Sequence, residues 1–176
     1  RVSGSFQDIT DMKQAEMELR KSKGFILAII ESLPIGIAVN IVEPSVTFDF
    51  MNDNFAKFYG VTKKEIENPD TFWEAVYDDP EFREEIKNKV LSDMASNNPE
   101  RMKWIDIPIK KEGEIVRYIS ASNIPLAESG QVISTVWDVT ERKMLELELI
   151  KLKDSLEEKV KEKTQELNER IAELER

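Results

Sequence analysis

The sequence contains no cysteine and no histidine. Without cysteine there is no disulfide, thiolate metal site, thiol nucleophile or covalent cysteinyl adduct. Histidine is the usual general base near neutral pH and a common metal or haem ligand, so its absence removes several further classes of site. Glycine is scarce, at six residues, and neither a G-x-x-x-x-G-K-[ST] phosphate loop nor a G-x-S-x-G nucleophile elbow occurs. The fragment therefore reads as a non-enzyme with no catalytic residue. The longest unbroken apolar run, Phe25 to Ile30, falls far short of the ~18–20 residues a membrane-spanning helix needs. Positive charge is in deficit: the net charge of -10 argues against nucleic acid or an anionic lipid surface as a partner.

What remains is enough for one domain of roughly 100–150 residues with extended flanks in a chain of 176. Charged residues make up 34% of it, a surplus that belongs on long solvated surfaces. An internal echo organises the chain. Asp8-Ile9-Thr10 with Lys13 and Leu19 recurs as Asp138-Val139-Thr140 with Lys143 and Leu149, at one constant offset as long as a domain plus a linker. Residues 1–10 are then expected to be the tail of a preceding domain, and the chain, opening at Arg1, an internal segment. Asp8 and Asp138 suit helix caps, with Asp11 and Glu141 in the capping-box position, and a strand is expected to feed each helix.

Over 11–33, Met12, Ala15, Leu19, Ser22, Ile26, Ile29 and Leu33 recur at three- and four-residue steps, an amphipathic or coiled-coil helix that Gly24 is expected to interrupt and Pro34 to end. A helix packed on its own domain and a dimer seam both fit. The pattern then changes to short elements. Ile35–Ile41 and Thr47–Met51 suit a hairpin across Glu43-Pro44-Ser45, and Asn52 can cap a short helix to Tyr59 that places Phe55 and Phe58 inward and exits at Gly60. Asp70 to Ser96 is helical in composition. Residues 102–109, 115–126 and 131–139 are rich in Ile, Val, Trp and Tyr and read as an antiparallel meander, turning at Lys111 to Glu114 and at Glu128-Ser129-Gly130. Beyond Thr140, over 141–176, there is no glycine or proline. Leu145, Leu149, Leu152, Leu156, Val160, Thr164, Leu167, Ile171 and Leu174 keep a mostly heptad spacing, with three successive four-residue steps from Leu152 to Thr164 that alter supercoiling locally. Such a helix buries too little alone, so a partner helix is expected, most simply in a parallel homodimer.

The stretch Met51-Asn52-Asp53-Asn54-Phe55-Ala56-Lys57-Phe58-Tyr59-Gly60-Val61 resembles the strand-to-helix segment of the Per-Arnt-Sim (PAS) family, and Trp137-Asp138-Val139-Thr140-Glu141-Arg142-Lys143 resembles the family's C-terminal aspartate-hydrophobe-threonine junction with the output helix. The resemblance implies an α+β fold over residues 34–140, a five-stranded antiparallel sheet with short helices on one face around a small pocket, flanked by N-terminal and long C-terminal coiled-coil helices. Leu156 to Leu167 is similar to linkers that join sensor domains to histidine-kinase cores. A cytoplasmic sensory module is implied, with neighbouring PAS and output domains of the same chain as partners, alongside a second copy and a small-molecule ligand. Flavin photosensors of the family need a cysteine and its histidine-ligated haem sensors a histidine. Their absence argues against covalent flavin and histidine-ligated haem and leaves the cofactor unassigned. In Val76-Tyr77-Asp78-Asp79-Pro80, Tyr77 stands where many relatives carry histidine.

The candidate pocket residues are Phe58, Trp73 and Trp104 as walls and Asn54, Ser120 and Ser122 as polar anchors, where filling a core is the plainer role for the aromatics. Asp138, Thr140 and Glu141 are the candidates for signal transfer, where helix capping is the plainer role. Asp78, Asp79, Glu81, Glu84 and Glu85 lack the spacing of a calcium loop, and a solvated helix start explains them better than a metal. A ligand-free structural dimerisation module is the competing function.

Overall fold

In a computed structural model the described residues are 3–41, 47–66, 68–126 and 130–174. A helix, α1 (Ser3–Ser32), leads through Pro34 into strands β1 (Gly36–Ile41) and β2 (Thr47–Met51). A helical layer follows: α2 (Asp53–Tyr59), a 3-10 turn (Lys63–Ile66), α3 (Pro69–Val76) and α4 (Pro80–Ala95). Strands β3 (Lys103–Lys111), β4 (Glu114–Leu126) and β5 (Gln131–Asp138) complete the sheet, and α5 (Thr140–Leu174) ends the chain. All four pairings in the five-stranded sheet are antiparallel, in the order β2-β1-β5-β4-β3, so the first hairpin is set beside the last strand of the meander. The chain divides into two compact units, Arg1–Asp138 and Val139–Arg176.

Local chemistry accounts for most boundaries. Asn52 caps α2 by accepting from Phe55 N, and Gly60, at φ +73°, closes it in the left-handed conformation glycine adopts without strain. Asp79 caps α4, accepting from Glu81 N and Phe82 N ahead of Pro80 in the first turn. This cap divides the stretch expected to be helical from Asp70 to Ser96 into two helices, because a proline N–H is missing only at no cost in a first turn. The β3–β4 turn is Glu112-Gly113, both with positive φ, the two-residue geometry that matches strand twist.

Two further expectations change. Gly24 lies inside α1 and does not interrupt it; one glycine costs a helix only about 1 kcal/mol. Residues 3–10 are helical, so Asp8 lies within α1 and is not fed by a strand; a helix satisfies its own backbone groups, whereas a strand needs neighbours. The hairpin turn Glu43-Pro44-Ser45 and, in the β4–β5 turn, Glu128 and Ser129 lie outside the described residues.

The core sits between sheet and helical layer, with Ala38, Ile66, Val76, Ile109 and Val136 fully buried. Its tightest point is Gly36. A Cβ there would stand 2.5 Å from Val136 Cγ1 and 2.6 Å from Phe55 Cα, because the first turn of α2 lies directly on β1. Gly36→Ala is expected to destabilise the fold by about 2 kcal/mol through forced backbone displacement, read as a lower urea midpoint; an unchanged midpoint would contradict this packing.

Candidate functional site

Strand alternation decides what faces the helical layer. On β1 the inner positions are Gly36, Ala38 and Asn40, and on β5 they are Val132, Ser134 and Val136, small side chains for a sheet interior. Of these, Asn40, Val132 and Ser134 line a cavity of about 780 Å³ bounded by the sheet, α2, α3 and α4, within the roughly 300–1,000 Å³ typical of small-ligand sites. One wall is a continuous run of rings, Phe48, Phe55, Tyr59, Phe72, Trp73 and Tyr77, with successive centroids 5.0 to 6.1 Å apart. Most contacts are edge-to-face; Trp73 and Tyr77 stack at 20°. Burial pushes the Tyr59 and Tyr77 phenols well above their ordinary pKa, so both are neutral at any physiological pH.

Polar groups are few at this cavity. Asn40 Nδ2 donates to Ser134 Oγ at 2.7 Å, while Asn40 Oδ1 is buried and has no hydrogen-bond partner. On the α4 side, Trp104 Nε1 donates to Asp93 Oδ2 at 3.0 Å, and Arg101 Nε and Nη2 reach Asp93 Oδ1 at 3.0 and 2.9 Å. The indole N–H first, and the guanidinium with it, hold the Asp93 carboxyl below the usual carboxylate range.

A second arrangement starts from the cavity wall. Arg117, on β4, donates through Nη1 to Phe58 O at 3.0 Å and to Lys57 O, the carbonyls at the end of α2. Its Nε pairs with Asp138 Oδ2 at 2.9 Å, at the last residue of β5. One guanidinium thus joins the helix that carries Phe55 and Tyr59 to the residue two positions before the start of α5.

The sheet order, with the helical layer inserted between β2 and β3, is the architecture that the motifs around Asn52 and Asp138 imply. In sheet order and helix placement the fold is PAS-like. No protein-family model matches the chain, and no curated protein does. Among solved structures, it is similar to the PAS domain of BvgS from Bordetella pertussis, at 25% identity over 77% of this chain and 98% of that one, with a TM-score of 0.45. It is also similar to the PAS domain of an HTR-like protein from Haloarcula marismortui, at 17% identity over 72% and 98% of the respective chains, TM-score 0.43. A third is an RNA-binding light-oxygen-voltage receptor, at 15% identity over 71% of this chain and 33% of that one, TM-score 0.47.

Of the residues expected to form the pocket of this PAS-like domain, Trp73 and Trp104 line the cavity. Ser120 and Ser122 do not: on β4 the lining positions are Ile119, Ala121 and Asn123, and a shift of one residue turns a strand side chain to the other face. Ser120 Oγ accepts from Asp106 N instead, and Ser122 Oγ shares a hydrogen bond with Thr135 Oγ1. Asn54 lies outside the cavity and donates to Leu33 O at 2.7 Å. Phe58 packs against the core behind Phe55 and Tyr59, which occupy the helix face one turn apart that meets the cavity. Asn40 was missed as a site residue, although an asparagine at an inner position of an otherwise apolar strand was its signal. The acidic cluster has structural uses: Asp79 caps α4, and Asp78 pairs with Lys111 Nζ at 3.1 Å.

The depressed pKa of Asp93 fixes a direction with pH. A carboxylate held below its unfolded value stabilises the fold above the ordinary range near ~4, and that contribution is lost as pH falls through the folded value. The stability advantage of the wild type over Asp93→Asn is therefore expected to be full at neutral pH and to shrink below about pH 4, as read from urea midpoints of both proteins across pH. A difference independent of pH would contradict the assignment.

Proposed function

We propose that the chain is a cytoplasmic sensory or relay PAS module of a multidomain signalling protein, acting as a parallel homodimer through α1 and α5. The observation that carries this reading is Arg117. It grips the end of α2, whose aromatic side chains wall the cavity, and the last residue of β5, from which the chain runs into α5. Occupancy that shifts α2 would alter this grip, and a ligand moves such an equilibrium by its difference in affinity for the two states. In this reading Asp138, Thr140 and Glu141 pass the bias into α5, and the cavity rather than the two serines holds the ligand.

The homodimer is supported by side chains left open to solvent. Leu145, Leu149, Leu152, Leu156 and Val160 on α5 are each more than half exposed, as are Met12, Leu19 and Ile26 on α1. A stripe at this spacing is stabilised by a second helix. The repeat of the aspartate-hydrophobe-threonine motif supports a neighbouring PAS domain, and the linker-like residues 156–167 support a histidine kinase as the output. The phosphoacceptor histidine of such a kinase is not in this sequence. Among the described residues no helix is long and apolar enough to cross a membrane. A ligand-free dimerisation module would be served by a filled interior, and the cavity weighs against it.

The native absence of cysteine makes cross-linking a clean test. Leu152→Cys, in the stripe, is expected to form an intermolecular disulfide several-fold faster than Asp154→Cys on the opposite face of α5. Adding Arg117→Met should change the Leu152→Cys rate by about twofold or more with the circular dichroism spectrum intact. Equal rates at the two positions would exclude the seam, and a rate insensitive to Arg117 would exclude the relay.

A further inference from the structure

We propose that the cavity takes an uncharged, flat, mostly apolar molecule that presents an N–H or O–H donor to the side-chain carbonyl of Asn40. This rests on the cavity being a ligand site and goes further in naming what it selects. The only buried side-chain polar atom among the described residues with no hydrogen-bond partner is Asn40 Oδ1, and Asn40 lines the cavity. A buried carbonyl oxygen without a donor is costly, and no group of the sheet donates to it. The neighbouring Ser134 hydroxyl already takes the Asn40 amide N–H at 2.7 Å. Opposite Asn40 the β1–β2 register shifts by one residue, with Asp49 the extra residue on β2, an irregularity of the kind found beside sites.

The rest of the lining sets the ligand's body. A run of six rings that ends in the stacked pair Trp73 and Tyr77 favours a planar apolar partner. Charge is disfavoured, because the one lining residue with a charged side chain is Lys87, partly exposed on α4. The two tyrosines remain neutral, so a buried ionised group would lack a partner at the Asn40 end. A site built to pair with a donor rejects an isostere lacking it, since its own polar atom is then left open.

Indole and benzofuran serve as the matched probes, nearly equal in shape and differing in the N–H that the ring oxygen replaces, titrated calorimetrically into the wild-type chain and into Asn40→Val. Indole is expected to bind the wild type about tenfold more tightly than benzofuran, and Asn40→Val should bring the two within about twofold of each other. Equal wild-type affinities would overturn the donor preference while leaving a ligand-binding cavity. Binding of neither probe would overturn this proposal and the ligand reading of the cavity together. Because the wild-type comparison stands alone, a poorly folding variant does not blunt the test, and the Arg117 relay is judged separately by cross-linking.

Discussion

Asn52 sits fully buried between the exit of α1, the start of β1 and the first turn of α2, and every hydrogen-bonding position of its side chain is used. Oδ1 accepts from Ile37 N at 2.9 Å and Phe55 N at 3.1 Å; Nδ2 donates to Ile30 O at 3.0 Å and Ile35 O at 2.9 Å. Its own N–H bonds to Ile37 O. Four backbone groups where α1, β1 and α2 meet are thereby bonded to one amide. A buried amide of this kind is costly when half satisfied and specific when complete. It fixes where α2 leaves β2, brings α2 down onto Gly36, and so sets the wall from which Phe55 and Tyr59 face the cavity.

The cavity follows from what the inner strands do not carry. Gly36 lets the first turn of α2 lie directly on β1, and Asn40, Val132 and Ser134 put little volume on the sheet side of the cavity, while the helical layer answers with large rings that pack on one another. At the end of β3 the Lys111 ammonium donates to Ala75 O at 3.0 Å and pairs with Asp78 where α3 passes to α4. Apolar burial stabilises this half of the molecule. The two polar features set against it, the open oxygen of Asn40 and the Asp93 to Trp104 pair, are what give the interior chemical preference.

How much of this could be read beforehand depended on the range of the interaction. Asn52, Gly60 and the Asp79-Pro80 step are local signals, and the caps stand where an asparagine, a glycine and an aspartate-proline pair place them. The five strands and their alternation were legible from β-branched and aromatic runs. The phase of that alternation was not: Ser120 and Ser122 lie one residue out of step with Ile119, Ala121 and Asn123, because the bulged β3–β4 pairing resets which residues face in. Asn40 and Ser134 are far apart in sequence, and only the β1–β5 pairing brings them together. Arg117 likewise acquires its meaning from α2 and β5, neither adjacent to it in the chain.

The dependence of the fold on one buried amide is tested most directly by hydrogen exchange on wild type and Asn52→Ala. The substitution should cost about 3 kcal/mol, since several buried groups lose their partner at once. The account expects the amides of Ile37, Phe55 and the rest of α2 to lose protection together, as one cooperative unit. Loss confined to Phe55, with β1 and the end of α1 as protected as before, would show that Asn52 is only a helix cap and would contradict the account.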